Sequence, residues 1–298
     1  MKTQTRAYAC GLAAVLAWST VATAFKISLR HLAPAQLVLF ASLASTLALL
    51  SILLVQRRLP ELAAAARRYW LRSLLYGAIN PFLYYLILFQ AYRRLPAQEA
   101  QAINYTWALT MTFLSVPLLR QRLSPRDAVA AVICYFGVLV IGTHGAPLSL
   151  EFGSPSGVAY ALASTLLWAG YWLCNTRDTR EPVIGLTLNF LFALPLITIY
   201  CAVSGLLHPV PWQGLAGAAY VGAIEMGFTF VLWLTAMKLS SSTARIASLI
   251  YLSPLVSLLL IHLVIGESLR TSTLAGLALI LGGLALQKLP WRRAPSAA

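Results

Sequence analysis

The sequence contains little charge, and its few charged residues are mostly of one sign. Only 10% of the 298 residues are charged, with 8 Asp plus Glu against 22 Lys plus Arg, and 59% are hydrophobic. A soluble domain has about 45 to 50% apolar residues, so this excess cannot be buried in a water-soluble core. A nucleic-acid binder clusters its basic residues on a solvated face, whereas here they fall between long apolar runs. The composition excludes a soluble enzyme, a disordered chain and a nucleic-acid-binding module, and it indicates a polytopic membrane protein.

Metal-binding and catalytic motifs are also lacking. The four cysteines (Cys10, Cys134, Cys174 and Cys201) lie in apolar runs without a CxxC pair, and the four histidines are scattered. This spacing predicts neither a disulfide framework nor a metal site. The apolar runs contain no Asp and no HExxH motif, which disfavours a membrane enzyme. We therefore expect no catalytic residues, no metal and no cofactor.

Ten apolar runs are long enough to cross a membrane, since a spanning helix needs about 20 mostly apolar residues. They are Tyr8 to Ile27, Pro34 to Val55, Leu74 to Ala91, Ala100 to Leu119, Ala128 to Thr143, Gly157 to Asn175, Pro182 to Ser204, Trp212 to Met237, Ile246 to Gly266 and Thr271 to Gln287. The charged residues inside them are Lys26, near an end, and Glu225, near the middle. The runs predict an all-α membrane protein with ten transmembrane helices, surrounded by the lipid bilayer.

The basic residues predict the orientation, because short cytoplasmic loops retain Lys and Arg. With the N-terminus inside, seventeen of the 22 Lys and Arg residues fall on the cytoplasmic side. The five on the outer side are Lys26, Arg30, Arg93, Arg94 and Arg270. The first run lacks a cleavage site of small residues and is predicted to remain as a helix. We expect a multi-pass inner-membrane protein with both termini cytoplasmic.

An internal repeat divides the chain into residues 1–145 and 150–298. An offset of 145 residues places Gly77-Ala78-Ile79 on Gly222-Ala223-Ile224 and Tyr85 on Phe230. Each half has five predicted helices, an odd number, so the second half enters the membrane from the opposite side. Inverted repeats of this kind are typical of transporters that bind substrate at the repeat interface. The pattern predicts two inverted five-helix repeats around a central cavity and alternating access to it.

Glycines in the fifth and tenth runs predict a helix pair that packs closely. The four are Gly137, Gly142, Gly282 and Gly283. Small residues let the backbones of membrane helices approach one another. We expect these two helices to support the bundle away from the cavity.

Several motifs resemble a known family. The stretch Ser241 to Leu249, followed by Leu252-Ser253-Pro254-Leu255 and Gly266-Glu267-Ser268-Leu269, resembles the EamA-type repeat of the drug/metabolite transporter superfamily. The first half departs from it, with Ala108 in place of Pro254 and Gln121 in place of Glu267. The string Asn104-Tyr105-Thr106-Trp107 is similar to the YddG-like aromatic amino-acid exporter branch.

This resemblance implies a function. It implies a secondary transporter that exports aromatic and other neutral or hydrophobic amino acids across the inner membrane, and the direction of transport comes from the resemblance alone. The family commonly has an Arg in its second helix, but none lies between Pro34 and Val55. A coupling role for that residue therefore cannot be transferred to this chain.

Polar and aromatic residues inside the runs are the candidates for substrate binding, because intramembrane polar groups usually face a cavity or another helix. They are Trp18, Asn80, Tyr84, Gln101, Asn104, Tyr105, Trp168, Tyr171, Glu225, Ser248 and Tyr251. Asn80 and Tyr84 lie four residues apart and are predicted to share a helix face, as are their repeat mates Glu225 and Thr229. The alternative is structural, since Trp and Tyr also populate interfacial belts and small polar residues also hold helices together.

The distribution of charge favours a zwitterionic substrate. A phosphate or dicarboxylate carrier would need Lys or Arg deep in its cavity, and none is expected there. The ammonium of an amino acid could meet Glu225 or aromatic faces, and its carboxylate could meet Asn and Tyr donors. Glu225 could instead carry a coupled proton or play a structural role.

A lipophilic drug or another small metabolite remains an alternative substrate. A channel is the rival class of membrane protein. We expect a small-molecule substrate, no nucleic acid and no obligate protein partner, and therefore a monomer.

Overall fold

The computed structural model describes residues 2–120, 123–175, 177–240, 246 and 249–288, and all regular elements in these residues are helical. The α-helices are α1 (Lys2–Ser19), α2 (Val21–Ser28), α3 (Pro34–Val55), α4 (Leu59–Gly77), α5 (Tyr84–Arg94), α6 (Ala97–Asn104), α7 (Trp107–Leu119), α8 (Pro125–Gly142), α9 (Pro155–Asn175), α10 (Pro182–Val203), α11 (Trp212–Tyr220), α12 (Thr229–Leu239), α13 (Leu252–Leu260) and α14 (Thr271–Lys288). Three π-helical segments, Ala78–Leu83, Val221–Phe228 and Ile261–Ile265, and a 3₁₀ turn at Leu249–Tyr251 complete the described elements.

Seven continuous helical stretches in the described residues are long and apolar enough to cross a membrane. They are Thr3–Ser28, Pro34–Val55, Leu59–Arg94, Pro125–Gly142, Pro155–Asn175, Pro182–Val203 and Trp212–Leu239. Two shorter apolar stretches follow, Leu249–Ile265 and Thr271–Gln287. The predicted all-helical membrane architecture is confirmed, and the count of ten spanning helices stays a prediction. The fourth apolar run forms two short helices, α6 and α7, separated by a turn at Tyr105 and Thr106.

Large apolar side chains cover the outside of these helices. Leu47 is 60% exposed, Ile199 60% and Leu263 68%, all on helical segments. Exposed aliphatic side chains are costly in water, but they match the hydrocarbon of a bilayer, where helices also satisfy their own backbone hydrogen bonds. The outer surface therefore fits a lipid environment.

The most extensive helix contacts join the first half of the chain to the second. Helix α4 packs on α10, α3 on the Val221–Phe228 segment, α1 on α12, and α5 on α9. Two glycines permit the closest approaches: a Cβ atom at Gly77 would collide with the carbonyl oxygen of Asn189, and one at Gly222 with that of Ala41. Each half thus contributes helices to a single shared core. The proposed boundaries at residues 1–145 and 150–298 stay a prediction.

The fifth and tenth runs pack closely, as the glycines predict. Helices α8 and α14 contact one another along their length. A Cβ atom at Gly137 would lie 2.7 Å from the Gly276 carbonyl oxygen, and one at Gly283 would lie 2.5 Å from Cys134 Sγ. The prediction is wrong for Gly282, because nothing lies within 4 Å of a Cβ atom built there.

The connecting loops collect at two ends of the bundle. At one end, here called the basic end, Arg58 pairs with Glu181 at 3.5 Å and Arg177 donates to the Leu118 carbonyl at 2.8 Å. At the other, the opposite end, Arg270 Nη1 lies 2.6 Å from Glu99 Oε1. At both ends these contacts join the first half of the chain to the second.

Candidate functional site

Two π-helical segments interrupt the third and eighth apolar runs at matching places. Ala78–Leu83 contains Asn80, with extended backbone angles (φ −138°, ψ 115°), and Pro81, which lacks a backbone N–H. Val221–Phe228 contains Glu225. A π segment widens the helix by one residue and is frequent at functional sites. Both halves therefore carry a polar candidate residue on a locally distorted helix.

An aromatic cluster surrounds Trp168 on α9. The Tyr84 ring stacks on Trp168 with centroids 4.5 Å apart and planes at 24°, and the Tyr171 ring lies 6.0 Å away at 25°. Trp172 and Phe230 present their edges at 5.8 and 6.2 Å. We call these five residues the Trp168 cluster. Offset-stacked and edge-to-face pairs each contribute about 0.5 to 1.5 kcal/mol beyond the burial of their area, so the cluster is well ordered.

Glu225 lies beside this cluster and accepts a hydrogen bond from a residue of the first half of the chain. The Tyr85 hydroxyl donates to Glu225 Oε1 at 3.2 Å, and Tyr85 is only 1% exposed. The other carboxyl oxygen, Oε2, is buried and has no hydrogen-bond partner among the described residues. Tyr84 and Tyr105 are also close enough to interact electrostatically with this carboxyl group. Tyr85 is therefore the one hydrogen-bond donor to Glu225 in the described part of the chain.

The fourth run contributes its polar residues to the same region. Asn104 Nδ2 donates to Ser164 Oγ at 2.9 Å, one helical turn before Trp168. Gln101, one turn before Asn104 on α6, is buried, and its Oε1 has no hydrogen-bond partner among the described residues. The structure therefore brings the third, fourth, sixth and eighth runs together at one site.

The remaining candidates lie at the edge of this region. Trp18 contacts Phe230 at 5.6 Å and Trp233 at 5.3 Å between ring centroids, so Phe230 links it to the Trp168 cluster. Tyr251, in the 3₁₀ turn, is half-buried against the main apolar core. Ser248 lies outside the described residues. Within those residues, no group of three His, Cys, Asp or Glu side chains could hold a metal ion.

Sequence analysis missed Tyr85 and Phe230 as site residues, and the π segments explain why. Spacing by four places Tyr84 on the face of Asn80, but a π turn bonds residue i to residue i+5 and rotates the following side chains. Both Tyr84 and Tyr85 consequently reach the site. The repeat alignment, which pairs Tyr85 with Phe230, was the signal that could have found them.

Arg180 was also missed, because it lies in a short loop between two apolar runs. The loop arginine is 7% exposed, and its Nη2 lies 2.6 Å from Asp178 Oδ2. It also donates to Ser73 Oγ at 2.7 Å and to Asn189 Oδ1 at 3.0 Å, and Asn189 in turn donates to the Tyr171 hydroxyl at 3.2 Å. Burial opposes ionisation of Asp178, but its bonds and attraction to Arg180 outweigh this and lower the pKa of its carboxyl group. A buried ion pair at the basic end is thus tied to a ring of the Trp168 cluster.

Two parts of the chain match a known family of transporters. The EamA-like transporter family model matches the chain twice, over residues 5–143 and 155–287. Protein PecM of Dickeya dadantii is 31% identical over 262 residues, covering 84% of this chain and 83% of that protein. The aromatic amino acid exporter YddG of Ancylobacter novellus is 28% identical over 224 residues, covering 73% and 76%.

One solved crystal structure shares the fold, with a TM-score of 0.65 at 23% identity and coverage of 95% of this chain and 96% of that one. The two family matches together span most of the chain, and the apolar helices supply the expected membrane-crossing body. The resemblance seen in the motifs is confirmed: the chain belongs to the EamA-like transporter family.

Proposed function

We propose that this transporter exports aromatic and other neutral or hydrophobic amino acids across the inner membrane by alternating access. The observation that carries the proposal is the Trp168 cluster beside Glu225, Tyr85 and Asn104 in the interior of the bundle. Aromatic faces and edges suit an aromatic side chain, and a carboxyl group with amide neighbours suits an amino-acid head group. The relative whose name specifies aromatic amino acid export supports the same substrate class.

Contacts between the two halves lie at both ends of the bundle, and alternating access would have to break them in turn. At the opposite end, Glu99 contacts both Arg270 and His144, and the Glu267 carboxyl accepts from the backbone N–H groups of Ala97 and Gln98. These contacts join the first half to the second. At the basic end, α1 and α12 form their own small apolar cluster around Ala7, Ala236 and Ile246, separate from the main core. Arg58 also contacts Glu181 and Arg177 contacts Leu118 at the basic end, so polar contacts join the halves there too. Our proposal is that the contacts at one end break while those at the other persist.

Orientation follows in the same proposal from the basic residues, with the basic end and both termini in the cytoplasm. A pair of single-cysteine variants tests it in a background that lacks the four native cysteines. Gln56→Cys, in an exposed loop of the basic end, should react with an impermeant thiol reagent only from the cytoplasmic side. Ser149→Cys, exposed at the opposite end, is the matched control and should react from the periplasmic side. Labelling of Gln56→Cys from the periplasm contradicts the predicted orientation. Labelling of both variants from the same side contradicts the odd number of helices in the first half, and with it the inverted arrangement of the two repeats.

A lipophilic-drug or other small-metabolite exporter is the second candidate. It is favoured by the same apolar rings and by the single carboxyl group of Glu225, which could meet a lipophilic cation. In either case we propose a monomer that needs no protein partner and no cofactor.

The test of the proposed function is counterflow in liposomes that contain the purified chain. Aromatic amino acids, aliphatic amino acids, nucleosides and lipophilic cations are compared as exchange partners. Saturable exchange of aromatic amino acids, stronger than that of small aliphatic ones, is expected. Exchange of lipophilic cations alone would favour the second candidate. Unsaturable flux without counterflow would indicate a channel.

A further inference from the structure

Hydrogen-bond acceptors outnumber donors among the unpartnered atoms of the candidate site. Asn80 Oδ1, Gln101 Oε1 and Glu225 Oε2 are buried acceptors with no partner among the described residues, and Trp172 Nε1 is the one such donor of the site. The other unpartnered atoms in the described part of the chain are hydroxyl oxygens, which can both donate and accept. Buried polar atoms without partners are rare in proteins and costly, so a site that contains several is suited to a ligand that satisfies them.

These acceptors lie on helices that meet at the Trp168 cluster. Glu225 accepts a hydrogen bond from Tyr85, and Asn80 precedes Tyr85 in the same distorted helix. Gln101 lies one turn before Asn104, which donates to Ser164 one turn before Trp168. The acceptors thus lie along the elements that hold Tyr84 against Trp168. A ligand ring beside the Trp168 cluster would therefore place its polar head near acceptors, one of which is a carboxyl group.

Among the described residues, the two basic side chains nearest to the site are already engaged by other groups. Arg180 is linked to Tyr171 through Asn189, but Asp178 contacts its guanidinium at 2.6 to 3.1 Å and neutralises it. The Lys26 ammonium donates to the backbone carbonyls of Tyr92 and Leu95, toward the opposite end. The Trp172 indole offers one neutral N–H. A carboxylate would meet only neutral donors there, from indole, amide and hydroxyl groups, whereas an ammonium group would meet neutral oxygens and the carboxyl group of Glu225.

We propose that the site selects its substrates by a protonated amine, so that the carboxylate of an amino acid is dispensable and aromatic monoamines are substrates as well. This inference rests on the proposed function, because it assumes that the Trp168 cluster binds the aromatic part of the substrate. It narrows the substrate class to aromatic compounds that carry an ammonium group. It also assigns Glu225, Gln101 and Asn80 to that group.

A matched series of three compounds tests the head group. Phenylalanine has both charges, phenethylamine keeps only the ammonium, and 3-phenylpropionate keeps only the carboxylate. Thermal stabilisation of the purified chain in detergent measures their binding without requiring transport. Inhibition of phenylalanine counterflow in liposomes measures their competition. Phenethylamine should act at concentrations within about threefold of phenylalanine, and 3-phenylpropionate should need at least about tenfold more.

Failure of the inference can be told apart from failure of the proposed function. Phenylalanine exchange with weak binding of phenethylamine, or with equal or stronger binding of 3-phenylpropionate, overturns the inference alone. Stabilisation by phenethylamine without exchange of any amino acid supports the amine site and overturns amino-acid export. No stabilisation by phenethylamine and no amino-acid exchange overturn both.

Variants then locate the amine site. Glu225→Gln keeps the shape of the side chain and should weaken phenethylamine binding by about tenfold or more, while binding of 3-phenylpropionate stays the same or improves. Glu151→Gln, the same change on an exposed loop at the opposite end, is the control and should leave all three compounds unaffected. If Glu225→Gln does not fold, Gln101→Leu should give a smaller loss, a few-fold, that is again confined to the ammonium compounds. Equal losses for amine and carboxylate in the folded variants would overturn the assignment.

Discussion

The third apolar run of the first half and its mate in the second half share a backbone but differ in chemistry. Both contain a π segment, Ala78–Leu83 in one and Val221–Phe228 in the other. The first run presents an amide and hydroxyl groups, whereas the second presents the carboxyl group of Glu225 and the plain ring of Phe230. The two repeats have therefore kept the same helix distortion while their side chains have diverged. The result is a site with different groups on its two sides, as an asymmetric substrate requires.

The packing behind the two segments has diverged much less. Gly77 lies against the Asn189 carbonyl on α10, and Gly222 lies against the Ala41 carbonyl on α3. In each case a glycine of one half meets the backbone of a helix from the other half. The backbone contacts position the segments, and the side chains of each segment provide its chemistry. Substitutions at the two glycines should therefore lower stability by similar amounts. Substitutions of the site side chains should have different effects in the two halves.

The largest effect is expected when either glycine is filled. Gly77→Leu and Gly222→Leu each force a side chain into a backbone carbonyl that cannot move aside, so we expect each to lose at least about 3 kcal/mol of unfolding free energy, the upper end of over-packing costs. Size-exclusion chromatography and thermal unfolding in detergent measure the loss. Gly282→Leu, on α14, is the matched control, because nothing lies within 4 Å of its Cβ position. Should one glycine tolerate Leu and the other not, the two contacts would not be equivalent.

Much of the fold is predictable from the sequence, because long apolar runs and loop charges act locally. The runs that begin at Pro34 and Pro182 form helices with the predicted starts, each with proline in its first turn. The π segments are not predictable in this way, because they arise where a helix adapts to neighbours such as Asn189 and Ala41. A spacing of four therefore pointed to Tyr84 and missed Tyr85, which contacts Glu225.

The candidate site residues were easier to predict from the type of side chain than from the place of the residue in a run or a loop. Trp168, Tyr84 and Asn104 were recognised because bulky aromatic and amide side chains inside apolar runs need a partner or a cavity. Arg180 was not recognised, because a loop position near the basic end predicts exposure. Its burial depends on Asp178, Ser73 and Asn189, which come together only in the folded chain.

A smaller effect is expected from the hydroxyl that distinguishes Tyr85 from its mate Phe230. Tyr85→Phe removes the donor to Glu225 Oε1 and leaves a buried carboxyl group without its hydrogen bond, at a cost of about 1 to 3 kcal/mol in unfolding free energy. Chemical denaturation in detergent measures this. The double variant Tyr85→Phe/Phe230→Tyr should not restore stability, because the Phe230 ring points between Trp18 and Trp168. Full restoration would mean that the two mates are interchangeable as donors to Glu225.

The smallest effect, and the one that most directly compares the two sides of the site, concerns two tryptophans. Trp168 contacts four aromatic rings of its cluster, whereas Trp18 contacts Phe230 and Trp233. Trp168→Ala removes the ring against which Tyr84 is held, so the surface offered to an aromatic substrate is lost with it. We expect an affinity loss of about 0.5 to 1.5 kcal/mol, or roughly a few-fold to tenfold, for aromatic substrates and a smaller loss for aliphatic ones. Trp18→Ala should weaken aromatic substrates less. Counterflow at matched expression measures both variants, and unchanged exchange of aromatic and aliphatic substrates by Trp168→Ala would assign Trp168 a structural role only.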